Sequence, residues 1–210
     1  MNGISANVGR CLAAVEELRS VSLRLHEDGV ARLSRVLSES LGMGPGAVDL
    51  VAYGASLHDV GKVVIPDAVL NKPGPLDARE WSLVRQHPLA GFRILDGSSD
   101  TTLRVAASVV LSHHEAWDGS GYPEGLAGDD IPREARIVGL CDVYHALREP
   151  RPYRPALHHD EVMAMILDGD GTGRLYPGKF DPDVLAAFRV AASRIEEAFE
   201  ESASEEAAGG

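Results

Sequence analysis

The sequence predicts an all-α protein. Apolar residues recur at three- and four-residue steps along most of the chain, and nowhere does a period-two strand pattern persist. Helix start and stop signals, among them Gly42, the Asp77/Glu80 pair and Asp181-Pro182, punctuate the runs.

The first run, Leu12, Val15, Leu18, Leu25, Leu33, Leu37 and Leu41, predicts one long helix that Gly42 ends. Gly29 inside it costs about 1 kcal/mol relative to Ala, so a kink or two shorter helices stay open. A second helix is expected from Val48 to His58, and Gly61, Pro66 and Pro73 then mark a loop in which a short hairpin over Val63 to Leu70 is not excluded. Asp77 with Glu80 forms a capping-box pattern for a third helix through Gln86. Pro88 disfavours helical geometry at His87 and can itself open the next helix, which puts His87 at a junction. Leu103, Ala106, Ala107, Val110 and Leu111 predict a helix whose C-terminal end delivers His113 and His114 into a loop. Pro132 opens another through Leu147. Asp181-Pro182 is an N-cap with proline at the first helical position, and Val184, Leu185, Phe188 and Ile195 supply the apolar face behind it. The expected organisation is an N-terminal helical extension over 1–21, one domain over 22–200 and a disordered acidic tail over 201–210.

The chain has 210 residues, 44% of them hydrophobic and 25% charged, which suits a single soluble domain with a real core. A net charge of -12 argues against long-range steering to nucleic acid or an anionic membrane, so any anionic ligand must be held by local cations. Two cysteines, Cys11 and Cys141, make neither a disulfide framework nor a metal knuckle. With no apolar run of membrane-spanning length and no signal-like start, a cytoplasmic protein is expected.

Five of the eight histidines, His26, His58, His87, His113 and His114, fall on helices or at helix ends, and Asp59 follows His58 at once. Imidazoles and carboxylates are the ligands first-row metals use, and a carboxylate can bridge two ions, which makes Asp59 the natural bridge. Taken singly each residue has a plainer reading as a cap or core side chain. Together they form a string: Gly54-Ala55-Ser56-Leu57-His58-Asp59-Val60-Gly61-Lys62, then His87-Pro88, then His113-His114-Glu115-Ala116-Trp117-Asp118-Gly119-Ser120-Gly121-Tyr122-Pro123. Leu126, Gly128, Ile131 and Pro132 follow, then Ala135 to Val138, Asp142-Val143-Tyr144, Arg151-Pro152-Tyr153-Arg154 and Phe180-Asp181-Pro182. This series resembles the HD-GYP family, metal-dependent phosphodiesterases of bacterial cyclic dinucleotides.

The resemblance implies a compact multi-helix HD-domain bundle with its metal site in the helical core. It implies metal ligands at His26, His58, Asp59, His87, His113, His114 and Asp142, with Asp59 bridging two divalent transition-metal ions, Fe or Mn. Lys62, four residues after His58 on the same expected helical face, matches a lysine that reaches a substrate phosphate. Tyr122 stands in the loop beside the metals, where Gly121 leaves room and Pro123 stiffens the turn. Arg151 and Arg154 match cations that hold the phosphodiester. The implied activity is hydrolysis of cyclic di-GMP to linear pGpG, and on further cleavage GMP, by a metal-bridging hydroxide, with Asp59 and Lys62 as catalytic residues. The alternative is a catalytically weak sensor or protein-interaction module, and a homodimer or a signalling-protein partner is left open. A phosphohydrolase of another nucleotide fits the Gly-Tyr-Pro loop poorly.

Two positions depart from the family pattern. Ser22 stands where members with a third metal carry glutamate, and Glu27, adjacent to His26 and about 100° away round a helix, is not expected to replace it, so two ions are expected. His145 stands where the family usually has an aspartate that can contact guanine, which places it among the substrate-binding residues, about 300° round the helix from Asp142 and clear of the ions. Elsewhere plainer readings hold: Trp117 as a packing anchor, His158 and His159 as surface residues, Cys141 as a small buried side chain, and Arg148 as a solvating helix end.

Overall fold

A computed structural model of the chain describes residues 8, 12, 21–150 and 155–209, the side chains of 21–23 and 205–209 excepted. Ten α-helices and three 3₁₀ turns are described, and no strand is among the described residues, so the all-α expectation is borne out. The loop considered for a hairpin is a 3₁₀ turn, Val60–Val64, followed by a short helix, Asp67–Leu70.

Helix α1, Val21–Ser40, runs unbroken through Gly29 and packs against α2, Pro45–Ala55, against α7, Arg133–Arg148, and against α10, Ala192–Gly209. Val30, Leu33 and Leu37 of α1 meet Val51 and Ala55 of α2, Ile137, Leu140, Cys141 and Tyr144 of α7, and Ile195 of α10 in one buried core. Helices α8, His159–Asp168, and α9, Pro182–Val190, add Val162, Ile166, Val184 and Phe188. A second cluster joins Leu57 and Val60 to Leu95 of α5, His87–Leu95, and to Leu103, Ala106, Ala107 and Val110 of α6, Thr101–Ser112.

The local signals act as read from the sequence. At α4, Ala78–Val84, Asp77 accepts from the backbone N–H groups of Arg79 and Glu80 while Glu80 accepts from that of Asp77, a complete capping box. Asp100 caps α6, and Asp181 caps α9 while also accepting from Arg136 at 2.7 Å.

Five expectations change. Helix α2 stops at Ala55, three residues early, because Val60–Val64 turns to lie directly on the first turn of α5: a Cβ on Gly61 would sit 1.9 Å from the His87 carbonyl oxygen. Lys62 therefore does not share a helix face with His58 and rides on the 3₁₀ turn instead. Ile195 belongs to α10, a separate helix that runs beyond residue 200 and buries Ser202, where a tail was expected. Arg148 is buried: its guanidinium donates to the Tyr144 hydroxyl at 2.9 Å, pairs with Glu200 and lies 4.4 Å from the Phe199 ring centroid, tying α10 to α7. Enough partners surround this cation to offset its desolvation. His159, likewise, is within hydrogen-bond reach of the Tyr144 hydroxyl at 2.8 Å, while His158 is exposed as expected.

Candidate metal centre

Three of the site histidines sit just past a helix end and use it in the same way. The last carbonyls of a helix lack an intrahelical partner. His58 after α2, His87 after α4 and His113 after α6 each reach back three residues, with Nδ1 at 2.7 Å from the Ala55 oxygen, 2.7 Å from the Val84 oxygen and 3.0 Å from the Val110 oxygen. A carbonyl can only accept, so Nδ1 carries the proton in all three rings and Nε2 presents its lone pair to the interior.

Those lone pairs converge on Asp59, which is 4% exposed. Its Oδ1 lies 3.2 Å from His87 Nε2 and 4.0 Å from His113 Nε2; its Oδ2 lies 3.4 Å from His58 Nε2 and pairs with the Lys62 ammonium. Asp142 Oδ1 is 3.0 Å from His26 Nε2 and 3.8 Å from His58 Nε2. Three groups have ligand atoms within 4.8 Å of one another: His26, His145 and Glu149, and the two that hold the sequence-predicted ligands, His26, His58 and Asp59, and Asp59, His87, His113 and His114. Asp59 is common to the latter two and Asp142 extends the first of them, so all seven sequence-predicted ligands come together.

The donor set fits divalent metal. His87 and His113 Nε2 stand 3.3 Å apart, two lone pairs facing each other once both Nδ1 protons are engaged, and His58 Nε2 and Asp59 Oδ1 are buried without a hydrogen-bond partner. Orphaned buried groups of this kind cost about 1–3 kcal/mol each, which a cation among them removes. Imidazole with carboxylate suits first-row transition ions.

The protonation states of His113, His114, Asp59 and Asp142 agree. Burial, reinforced by neighbouring histidines, pushes His113 far down and His114 to about 3, which keeps both rings neutral. Burial alone would raise Asp59 and Asp142, but Lys62 and His58 hold the first well below the carboxylate range, and His26 and His58 hold the second there. His26 goes the other way: burial lowers it, yet Asp142 and Glu149 outweigh that and raise it to about 9.

The tyrosine loop lies against the second group. Tyr122 stacks on His114 with ring centroids 4.8 Å apart and planes at 28°, and its backbone N–H donates to the His114 oxygen at 3.1 Å. Gly121 does leave room, since a Cβ there would meet the Ala116 nitrogen at 2.3 Å. Two residues that sequence reasoning assigned no role complete the loop. Glu115 accepts from the backbone N–H groups of Glu124, Gly125 and Leu126 at 2.7, 3.2 and 3.1 Å, and the exposed Arg85 guanidinium lies 4.6 Å from the Tyr122 centroid. The first was visible as the neighbour of His114 in the motif; nothing in the sequence marked the second. Trp117, with the Arg136 guanidinium 5.2 Å from its ring and its backbone N–H donating to the Lys179 carbonyl oxygen, is a packing anchor as read.

His145 is the main correction. It is 2% exposed, with Nδ1 3.0 Å from His26 Nδ1, so it lies behind His26 and not at an exposed edge. Its 300° offset from Asp142 holds along α7, but α1 brings His26 onto that other face. Glu27 is buried, and its charge acts on Lys62. Arg151 and Arg154 lie outside the described residues, as does the Ser22 side chain. His145→Asp would set a second carboxylate beside Glu149. It is expected to give no selective gain in binding guanine-containing over all-adenine cyclic dinucleotides in a calorimetric comparison.

The HD domain family model matches residues 10–179. The chain belongs to the HD domain family. It is 38% identical over 186 residues to the cyclic di-GMP phosphodiesterase response regulator RpfG of Xanthomonas campestris, covering 89% of this chain and 48% of that protein. It is 39% identical over 160 residues to the 3'3'-cGAMP-specific phosphodiesterase 2 of Vibrio cholerae, covering 76% and 31%. Among solved structures it is similar in fold to Bd1817, an HDG"Y"P protein of Bdellovibrio bacteriovorus, with a TM-score of 0.63 and 21% identity over 81% of this chain and 52% of the other. The HD-GYP resemblance is thereby borne out. This HD domain spans about half the length, or less, of the curated relatives named here.

Proposed function

We propose that this HD domain hydrolyses cyclic di-GMP to linear pGpG, and on further cleavage to GMP. The observation that carries the reading is Asp59, buried, with one oxygen turned to His87 and His113 and the other to His58. Two divalent ions, Fe or Mn, would be held by His26, His58, Asp59 and Asp142 on one side and Asp59, His87, His113 and His114 on the other. When bound, such a pair supplies a water deprotonated near neutral pH and neutralises charge on the phosphoryl oxygens.

The chain's own residues do the rest. Lys62, now paired with Asp59, is 24% exposed at its side chain and can donate to a phosphate oxygen. Tyr122 is fixed by His114 stacking and by the Glu115-held loop, so it borders the site in one orientation. Arg151 and Arg154 are assigned the phosphate grip on sequence grounds. A net charge of -12 does not oppose an anionic substrate, because ions at the site would add about four positive charges locally. The sensor alternative drew its support from His145 at the substrate edge, and that support is gone with the residue buried. The named specificity of the Vibrio cholerae relative makes 3'3'-cGAMP the second substrate to test. No helix among the described residues is long and apolar enough to cross a membrane, and a cytoplasmic location is proposed with the rest.

Protein reconstituted with Mn²⁺ or Fe²⁺ without oxygen is expected to form pGpG from cyclic di-GMP and to carry about two ions per chain by elemental analysis. Two ions with no product from either dinucleotide would overturn the enzyme reading. A reproducible content near three, or none after careful reconstitution, would overturn the two-ion assignment.

A further inference from the structure

His26 differs from His58, His87 and His113 in where it sits. Those three lie beyond helix ends, where free carbonyls wait. His26 is six residues into α1, and the carbonyls one turn back are committed to the helix, so its Nδ1 must find a side chain. The atom it meets is Nδ1 of His145, at 3.0 Å. Glu149, which follows α7, places Oε2 at 3.3 Å from His26 Nδ1 and Oε1 at 3.6 Å from His145 Nδ1, farther than the imidazole contact.

The cradle of His145 is built into two other helices. An ideal Cβ on Gly29, three residues after His26, would stand 2.0 Å from His145 Nε2 and 2.7 Å from its Cδ2, so α1 has room for this ring only because residue 29 has no side chain. Phe199 of α10 closes the other side edge-on, with centroids 5.2 Å apart. The glycine that the sequence marks as a helix weakness is the opening that admits the ring.

We propose that His145 is a positioning residue for the first metal centre: its Nδ1 accepts the Nδ1 proton of His26 and so turns the His26 Nε2 lone pair toward the ion. This rests on the two-centre reading above. It replaces a backbone carbonyl with a side chain as the orienting partner, which makes His26 the ligand whose tautomer a single substitution can release.

The test is a Mn²⁺ titration of metal-stripped protein by calorimetry in a His113→Ala background, which isolates the first centre. His145→Leu keeps the apolar contact with Phe199 but cannot accept, and is expected to weaken binding by about 10–100-fold. His145→Asn can place Oδ1 where Nδ1 lies, and is expected to restore most of that loss. Glu149→Ala is expected to cost less than His145→Leu. Undiminished affinity in His145→Leu, no rescue by Asn, or a larger effect at Glu149 would each overturn the proposal. Should His145→Leu fail to fold, nitrogen NMR of Zn²⁺-loaded wild type decides: a coupling across the His26 Nδ1 to His145 Nδ1 hydrogen bond supports the role and its absence overturns it. A wild type that takes up no Mn²⁺ overturns the metal-centre reading itself and this proposal with it.

Discussion

Asp59→Ala is expected to abolish turnover and to bring metal content well below that of the wild type. The carboxylate is the one group common to both ligand sets, so its removal opens a coordination position on each side at once. It also removes the carboxylate that the Lys62 ammonium pairs with, beside a cluster of histidines. A bound ion contributes several kcal/mol to the transition state, and about 1.4 kcal/mol is tenfold, so a loss of roughly 10³-fold or more is expected. Replacing Arg154 by Ala should cost less, about 1.5–3 kcal/mol for one charge-assisted phosphate contact. Asp59→Asn separates charge from shape, since it keeps one acceptor and loses the second, and it should resemble Ala in metal content more than wild type. Rates with cyclic di-GMP, with metals quantified in the same samples, check this. Full metal and a near-normal rate in Asp59→Ala would remove the bridging role.

Gly61→Ala is expected to be the most damaging glycine-to-alanine substitution among the described residues. The new methyl group would stand 1.9 Å from the His87 oxygen and 2.5 Å from the Gly91 nitrogen, and both are backbone atoms, so no rotamer change can relieve the clash. The 3₁₀ turn and α5 must separate, at about 1–3 kcal/mol or more. The same separation draws His87 away from Asp59, now 3.2 Å apart, and so weakens the second centre while the first is spared. Denaturant unfolding with and without Mn²⁺ and the ion count per chain are the measurements. The variant should lose stability and hold about one ion. Wild-type stability with two ions would show that the turn and α5 can part at no cost to the site.

Much of this was legible along the chain because it depends on neighbours in sequence. The Asp77/Glu80 box, the cap at Asp181 and the proline at the head of α5 use atoms within three residues of each other, and the structure has them as read. The candidate ligand residues were legible through the spacing of a family motif.

What the sequence by itself determined, then, was the helical class, the order of the elements and the seven candidate ligand positions, since apolar spacing, caps and motif are properties of one dimension. Tertiary structure alone decided what each residue faces. A helix places residues by angle about its own axis, but the partner on any face comes from another helix. That is why His145, correctly offset from Asp142, lies against His26 from α1. It is also why Arg148, read as a solvating end, is sealed by α10, and why Gly29, read as a possible kink, and Gly61, read as a loop marker, are points of close approach. Close packing between elements that are distant in sequence set these outcomes, and no local pattern encodes the distance between two backbones.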